Sequence, residues 1–288
     1  MSRSVFVSIV FSLVLHTVAS ADLVDISSAA WTAGDTSNTV TSSGGVDVDF
    51  NFSGTLSTAP QPATSPDPGT ATPYIQSGVN GFDGGLVWRF SEVVGVSSTD
   101  VVSLEISFNG TQAENVSFVL GDIDTGSDAG TGGANFDNWQ DVVVVKGLDS
   151  GGAKVDGNAT LLGGGTTSVL EDSNSLYAPL GDPAITLFGV DGPTAASDAR
   201  GNVEISFATA ISKILIDYRP GLSTSSAMSD LILGFGPDTT TSQFISLHDI
   251  NFTAVPEPSS FALIGLVGLA FGVRRRQAVL GWLKSLWS

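Results

Sequence analysis

Five aspartates in the middle of the chain have the residue type and spacing of a calcium site. Asp122 and Asp124 are two residues apart, so their side chains would share one face of a continuing strand. A loop rich in Gly and Asp follows and leads into a second apolar run. If that loop folds back, it brings together Asp122, Asp124, Asp128, Asp137 and Asp141. Hard carboxylate oxygens favour Ca²⁺, so a calcium site is one interpretation of this loop.

A solvated turn is the favoured interpretation of the same loop. Asp and Gly both tolerate tight turns, and the spacing of these aspartates differs from that of an EF-hand loop. If calcium binds, we expect it to order the loop and not to take part in catalysis.

Trp139 adjoins this acidic loop and is a candidate contact for a sugar ring. Together with calcium it would form a shallow carbohydrate site, as in a calcium-assisted carbohydrate-binding module. The structural alternative is that Trp139 covers a strand edge and that Trp88, within the run LVWRF, packs in the core.

The inventory of reactive side chains argues against an enzyme. The chain has no cysteine, which excludes thiolate metal sites, cysteine nucleophiles and disulfides. It has two histidines, His16 near the N-terminus and His248, so a serine triad would depend on His248 alone. A pair of carboxylates for glycan cleavage remains open, because the sequence does not measure their separation. We expect no enzymatic activity, with a glycan-active enzyme as the least favoured alternative.

The charge of the central region excludes one class of partner. Residues 22–254 contain 28 acidic and six basic side chains, a net charge of −22. Such a surface repels polyanions, so we expect no nucleic-acid partner.

Short extended runs separated by Gly, Asp, Ser and Thr predict an all-β fold. Residues 46–52 and 102–108 alternate strictly between apolar and polar side chains, which is typical of half-buried strands. Residues 244–252 predict a further strand that contains His248. About ten such runs favour a single antiparallel β-sandwich or jelly-roll domain at residues 22–254.

The N-terminus predicts a signal peptide at residues 1–21. Arg3 precedes an apolar stretch at residues 5–15, and Ala19 and Ala21 supply the small residues that signal peptidase requires. We expect cleavage before Asp22.

The C-terminal region has three consecutive parts. The first part is the motif Val255, Pro256, Glu257 and Pro258. Its two prolines favour an extended and accessible backbone. An apolar run at residues 260–273 follows, which predicts a short transmembrane helix. Arg274, Arg275 and Arg276 then form a basic cluster that would stay cytoplasmic as a membrane stop.

This order resembles the PEP-CTERM sorting signal at residues 255–276. The resemblance implies a bacterial protein processed during export by exosortase, a membrane protease. It also implies a location in the envelope or in an extracellular polysaccharide matrix. An ordinary single-span anchor without processing is the alternative.

Residues 277–288 extend beyond the arginine cluster. Val279, Trp282, Leu283 and Leu286 follow helical spacing, which predicts an amphipathic helix on the cytoplasmic leaflet.

The sequence therefore predicts an exported structural protein of the envelope or extracellular matrix. Its predicted partners are signal peptidase, exosortase, the membrane and an extracellular polysaccharide. We expect transient anchoring in the inner membrane before delivery to the envelope, the surface or the medium.

Overall fold

The computed structural model describes residues 21–56, 70–89, 101–123, 125–127, 138–163, 167–170, 184–189, 201–220 and 244–256. Every regular element in these segments is a strand, and together they confirm the predicted all-β sandwich. No helix within them is long and apolar enough to cross a membrane. The predicted signal peptide before Ala21 and the predicted transmembrane helix lie outside the described residues.

Seventeen strands are found in the described segments. They are β1 (Ala21–Val24), β2 (Ser37–Thr41), β3 (Asp47–Gly54), β4 (Tyr74–Ser77), β5 (Gly84–Arg89), β6 (Val102–Phe108), β7 (Thr111–Gly121), β8 (Thr125–Ser127), β9 (Asn138–Leu148), β10 (Lys154–Val155), β11 (Asn158–Leu161), β12 (Thr167–Leu170), β13 (Ile185–Gly189), β14 (Val203–Phe207), β15 (Lys213–Pro220), β16 (Phe244–Leu247) and β17 (Ile250–Pro256).

The strands form two antiparallel sheets. Sheet A follows the order β1-β17-β7-β16-β5-β4, and β14 pairs with β7 and with β11. Sheet B follows the order β12-β13-β9-β15-β6-β3-β2, and β8 and β10 both pair with β9. Many neighbouring strands are distant in sequence, so the sheets depend on contacts between remote parts of the chain.

The core lies between the two sheets and is built by alternation along the strands. In β6 the apolar side chains from Val102 to Phe108 are buried, and the polar side chains between them are half-buried. β7 follows the same pattern, with Phe118 and Leu120 turned inward. Trp88 is fully buried as predicted, and its ring centroid lies 5.5 Å from that of Phe52. Alternation with period two therefore decides which face of each strand enters the core.

The predicted strand at residues 244–252 is interrupted in the structure. β16 ends at Leu247 and β17 begins at Ile250. The break follows from a change of partners, because β16 pairs with β5 and the end of β7, whereas β17 pairs with β1 and the start of β7. The amide of His248 still donates to the Val119 carbonyl at 3.0 Å. The continuous strand predicted from the sequence is therefore wrong at His248 and Asp249.

Phe207 links the two sheets through a space that two glycines leave open. Its ring comes from β14 of sheet A. A Cβ atom added at Gly147 in β9 would lie 2.7 Å from this ring, and one added at Gly157 would lie 2.6 Å from it. The close packing of Phe207 therefore requires glycine at both positions.

We predict that Gly147→Ala lowers the free energy of unfolding by about 1–3 kcal/mol, because the added methyl group overlaps the Phe207 ring. Equilibrium unfolding in guanidinium chloride measures this effect. Gly151→Ala is the matched control, since its Cβ would meet only the Asp149 carboxylate, at 3.3 Å. In a double-mutant cycle, Phe207→Leu should reduce the cost of Gly147→Ala. Equal stability of the two alanine variants would contradict this packing.

Candidate functional site

Strand β17 contains the first residues of the predicted sorting segment. In the register of β17 with β7, Val255 lies opposite Gln112 and Pro256 lies opposite Thr111. The Thr111 hydroxyl donates a hydrogen bond to the Val255 carbonyl oxygen at 2.8 Å. Proline has no amide hydrogen, so the ladder gains no donor at Pro256. Sheet A therefore holds the chain as far as Pro256.

The first strand lies on the other side of β17. Ala21 is opposite Thr253 and Leu23 is opposite Asn251. Because the pairing is antiparallel, the start of β1 and the end of β17 lie at the same end of sheet A. Thr253 is three residues from Pro256, which corresponds to about 10 Å of strand. The chain therefore enters and leaves the described fold side by side.

The predicted signal-peptidase site coincides with the start of β1. Ala21 is the first residue of this strand, and the Asp22 side chain is buried. Ala19 lies outside the described residues. The bond expected to be cut, between Ala21 and Asp22, is thus part of the strand that pairs with β17.

Comparison with protein families finds a PEP-CTERM protein-sorting motif at residues 254–276. The chain carries an exosortase sorting signal. The PEP-CTERM motif confirms the predicted resemblance and implies export with transient membrane anchoring. Its first three residues, 254–256, end β17. Glu257, Pro258 and the arginines at 274–276 lie outside the described residues. No curated protein and no solved structure matches the chain.

The predicted calcium ligands are described only in part. Asp122 follows β7 of sheet A, whereas Asp141 lies in β9 of sheet B. Asp141 is buried and accepts a hydrogen bond from the Tyr218 hydroxyl at 2.6 Å. The other three, Asp124, Asp128 and Asp137, are outside the described residues. The described segments hold no group of three or more acidic or histidine side chains placed to bind a metal ion. The calcium site stays a prediction.

Trp139 stays a predicted sugar contact as well. The structure places its backbone in β9, opposite Gly126 of β8.

A polar cavity of about 400 Å³ opens on sheet A. Ser117 and Val119 of β7, which line it, alternate with core residues, so the cavity lies on the outer face of the sheet. The side chains that define its chemistry are Asp25, Phe82, Asp83, Glu204, His248 and Asp249.

His248 is fixed at the cavity wall by hydrogen bonds on both ring nitrogens. Nδ1 lies 2.9 Å from the Gly84 carbonyl oxygen, which only accepts, so Nδ1 carries the hydrogen. Nε2 lies 3.0 Å from Ser246 Oγ and accepts from that hydroxyl. Asn80 Nδ2 donates to Ser246 Oγ at 2.7 Å, and Asn202 Nδ2 donates to the Asn80 carbonyl at 2.8 Å. These contacts define a single neutral tautomer of His248.

The pairing of Ser246 with His248 resembles a nucleophile and its base, but its surroundings do not suit catalysis. Ser246 is completely buried, and its hydroxyl is already bonded to both His248 and Asn80. A substrate carbonyl has no access to this oxygen. The serine therefore fixes the histidine instead of serving as a nucleophile.

Sequence reasoning did not single out the carboxylates of the cavity. Asp25 follows β1, Asp83 precedes β5, and Asp249 lies between β16 and β17. These residues are far apart in sequence and show no common spacing. Only the sheet register brings them together.

We predict that the free energy of unfolding falls as the pH drops from about 6.5 towards 4. Burial lowers the pKa of His248 from 6.5 to about 4. Between these pH values the unfolded state binds a proton at His248 and the folded state does not, so protonation favours unfolding. The loss should reach roughly 3 kcal/mol at the acidic end.

Urea unfolding at a series of pH values measures this loss. The carboxylates titrate in both proteins, so subtracting the profile of His248→Gln from that of the wild type isolates the histidine. Identical pH profiles for the two proteins would contradict the assignment.

Proposed function

We infer that this chain is a non-catalytic structural protein of the bacterial envelope or extracellular matrix, delivered by its C-terminal signal. The observation that carries this proposal is the PEP-CTERM motif, which begins inside β17 of the exported fold.

The position of the N-terminal site supports an order of processing. Signal peptidase requires an accessible extended segment, and Asp22 is buried once β1 pairs with β17. β17 is also the last strand that the structure describes. Removal of the leader therefore precedes the pairing of β1 with β17, and the tail is processed after the domain has formed.

The length of the apolar run supports transient anchoring. Residues 260–273 would span about 21 Å as a helix, against about 30 Å of hydrocarbon. A segment this short holds the protein weakly, so exosortase acts on a chain that is delivered and not permanently retained.

The site geometry supports a role without catalysis. His248 is neutral at physiological pH and hydrogen-bonded on both nitrogens, and Ser246 is out of reach of a substrate. A β-sandwich that uses no cysteine fits a structural component of an exported matrix.

We predict that the protein recovered from its native cells begins at Asp22 and ends near Pro258, beyond the residues that pair with β7. Intact-mass analysis of the envelope and medium fractions measures both ends. In cells that lack exosortase, the same analysis should find the tail through Ser288 retained, with the protein in the membrane fraction.

Matched variants separate the sorting motif from the remainder of the tail. Glu257→Ala should block processing, whereas Lys284→Ala should leave it unchanged. A mature protein that still contains Trp287 in normal cells would contradict the proposal.

A further inference from the structure

The cavity on the outer face of sheet A has the shape of a ligand site. Its walls are formed by the segment after β1, the turn before β5, strands β7, β14 and β17, and the break between β16 and β17. Its volume of about 400 Å³ falls within the usual range for small-molecule sites. The walls of the cavity thus belong to elements whose positions are fixed by sheet A.

One wall of the cavity is aromatic. Phe82 is partly exposed, and its ring stacks on His248 with a centroid separation of 4.1 Å and an interplanar angle of 31°. The hydrogen bonds on both nitrogens of His248 hold this stack in place. Phe82 therefore presents a preorganised aromatic surface, which suits an apolar ring face or an ammonium group.

The polar lining is acidic and is not neutralised locally. Asp25, Asp83, Asp249 and Glu204 line the cavity, and none of the described residues around it is Lys or Arg. Burial raises the pKa of Asp249, and the nearby charges of Asp25 and Asp83 raise it further. Asp249 is therefore the carboxylate whose negative charge a bound cation would stabilise, whereas hydrogen bonds from Ser27 and Ser28 lower the pKa of Asp25.

The basic side chains of the domain are mostly on the other sheet. Lys146, Lys213 and Arg219 belong to β9 and β15 of sheet B. Asp217 lies 3.3 Å from both Lys146 Nζ and Arg219 Nη2. Glu105 lies 2.9 Å from Lys213 Nζ. These cations are paired with carboxylates of sheet B and do not line the cavity.

A small metal ion does not fit this arrangement. The described acidic and histidine side chains include no group of three or more that converges on one point. Asp25 and Asp249 already accept hydrogen bonds from neighbouring groups of this chain, and the lining also includes Ser117 and Asn251. A larger ligand with one positive charge and several hydroxyl groups would satisfy them all.

We propose that this cavity binds an amino sugar, with its ammonium group held by the carboxylates and its ring against Phe82. The hydroxyl groups of the sugar would donate to Glu204 and to the remaining carboxylates. The proposal goes beyond sorting and structural delivery, and it holds whether or not the tail is processed. It assigns the site to sheet A and not to the acidic loop around Trp139.

The test measures binding of glucosamine tetrasaccharide to the full-length protein in detergent by isothermal titration calorimetry at pH 7. The matched probe is the fully N-acetylated tetrasaccharide, which has the same rings without positive charge. We expect at least about tenfold tighter binding of the free amine form, a difference equivalent to about 1.4 kcal/mol. Binding should also weaken at alkaline pH, where the amine loses its proton.

Three variants locate the site. Glu204→Gln, Asp83→Asn and Phe82→Leu should each weaken binding of the glucosamine tetrasaccharide at least fivefold. Glu114→Gln is the control, because Glu114 lies in β7 but does not line the cavity. Circular dichroism and thermal unfolding show whether each variant is folded. If one variant fails to fold, the other two variants and the pH dependence of binding still test the proposal.

Three outcomes would overturn the proposal. The first is absence of binding by the wild type. The second is equal weakening by Glu114→Gln and Glu204→Gln. The third is binding of tetralysine with the same affinity and the same sensitivity to Glu204→Gln, which would identify a general cation site and not an amino-sugar site.

Discussion

The pairing of β1 with β17 is the constraint on which the remaining structure depends. These strands come from opposite ends of the described chain, and β17 lies between β1 and β7 in sheet A. Sheet A is therefore incomplete until β17 has been synthesised. The same pairing brings Ala21 and Pro256, the first and last described residues, to one end of sheet A. Asp249 reinforces it, because its Oδ1 accepts the Ile26 amide at 2.8 Å just after β1.

The cavity is a second consequence of this pairing. The change of partners between β16 and β17 interrupts the strand at His248 and Asp249, and both side chains line the cavity. The segment after β1 brings Asp25 to the same place. The sorting signal would thus use the end of β17, and the proposed ligand would bind on the outer face of the same sheet A. His248, hydrogen-bonded on both ring nitrogens, lies at this break in the strand.

Much of the fold could be predicted from local patterns. Residues 102–108 alternate strictly, and β6 has the same bounds. β2 and β4 were not predicted, because Ser37–Thr41 is mostly polar and Tyr74–Ser77 follows a proline-rich segment. Their strand conformation depends on pairing with β3 and β5. The break at His248 was missed for the same reason, since partner exchange leaves no periodic signal in the sequence.

The two sites differ in how far the sequence could predict them. The sorting motif is continuous, so its prolines, apolar run and arginines could be recognised directly. The cavity is assembled from residues as distant as Asp25 and Asp249, and only the register of the sheet brings them together. Ser246 and Asn80 likewise have no local signal, although they determine the tautomer of His248.

The most direct test of the account is a cross-link between the two ends of the domain. The chain has no cysteine, so Leu23→Cys and Asn251→Cys introduce a single pair at positions directly opposite in the register of β1 and β17. Both residues lie on the outer face, where the Cβ atoms of such a pair are about 4.5–5.5 Å apart. The account predicts rapid cross-linking by a short bifunctional thiol reagent. Cross-linking no faster than that of a Leu23→Cys and Thr39→Cys pair, with Thr39 in sheet B, would contradict it.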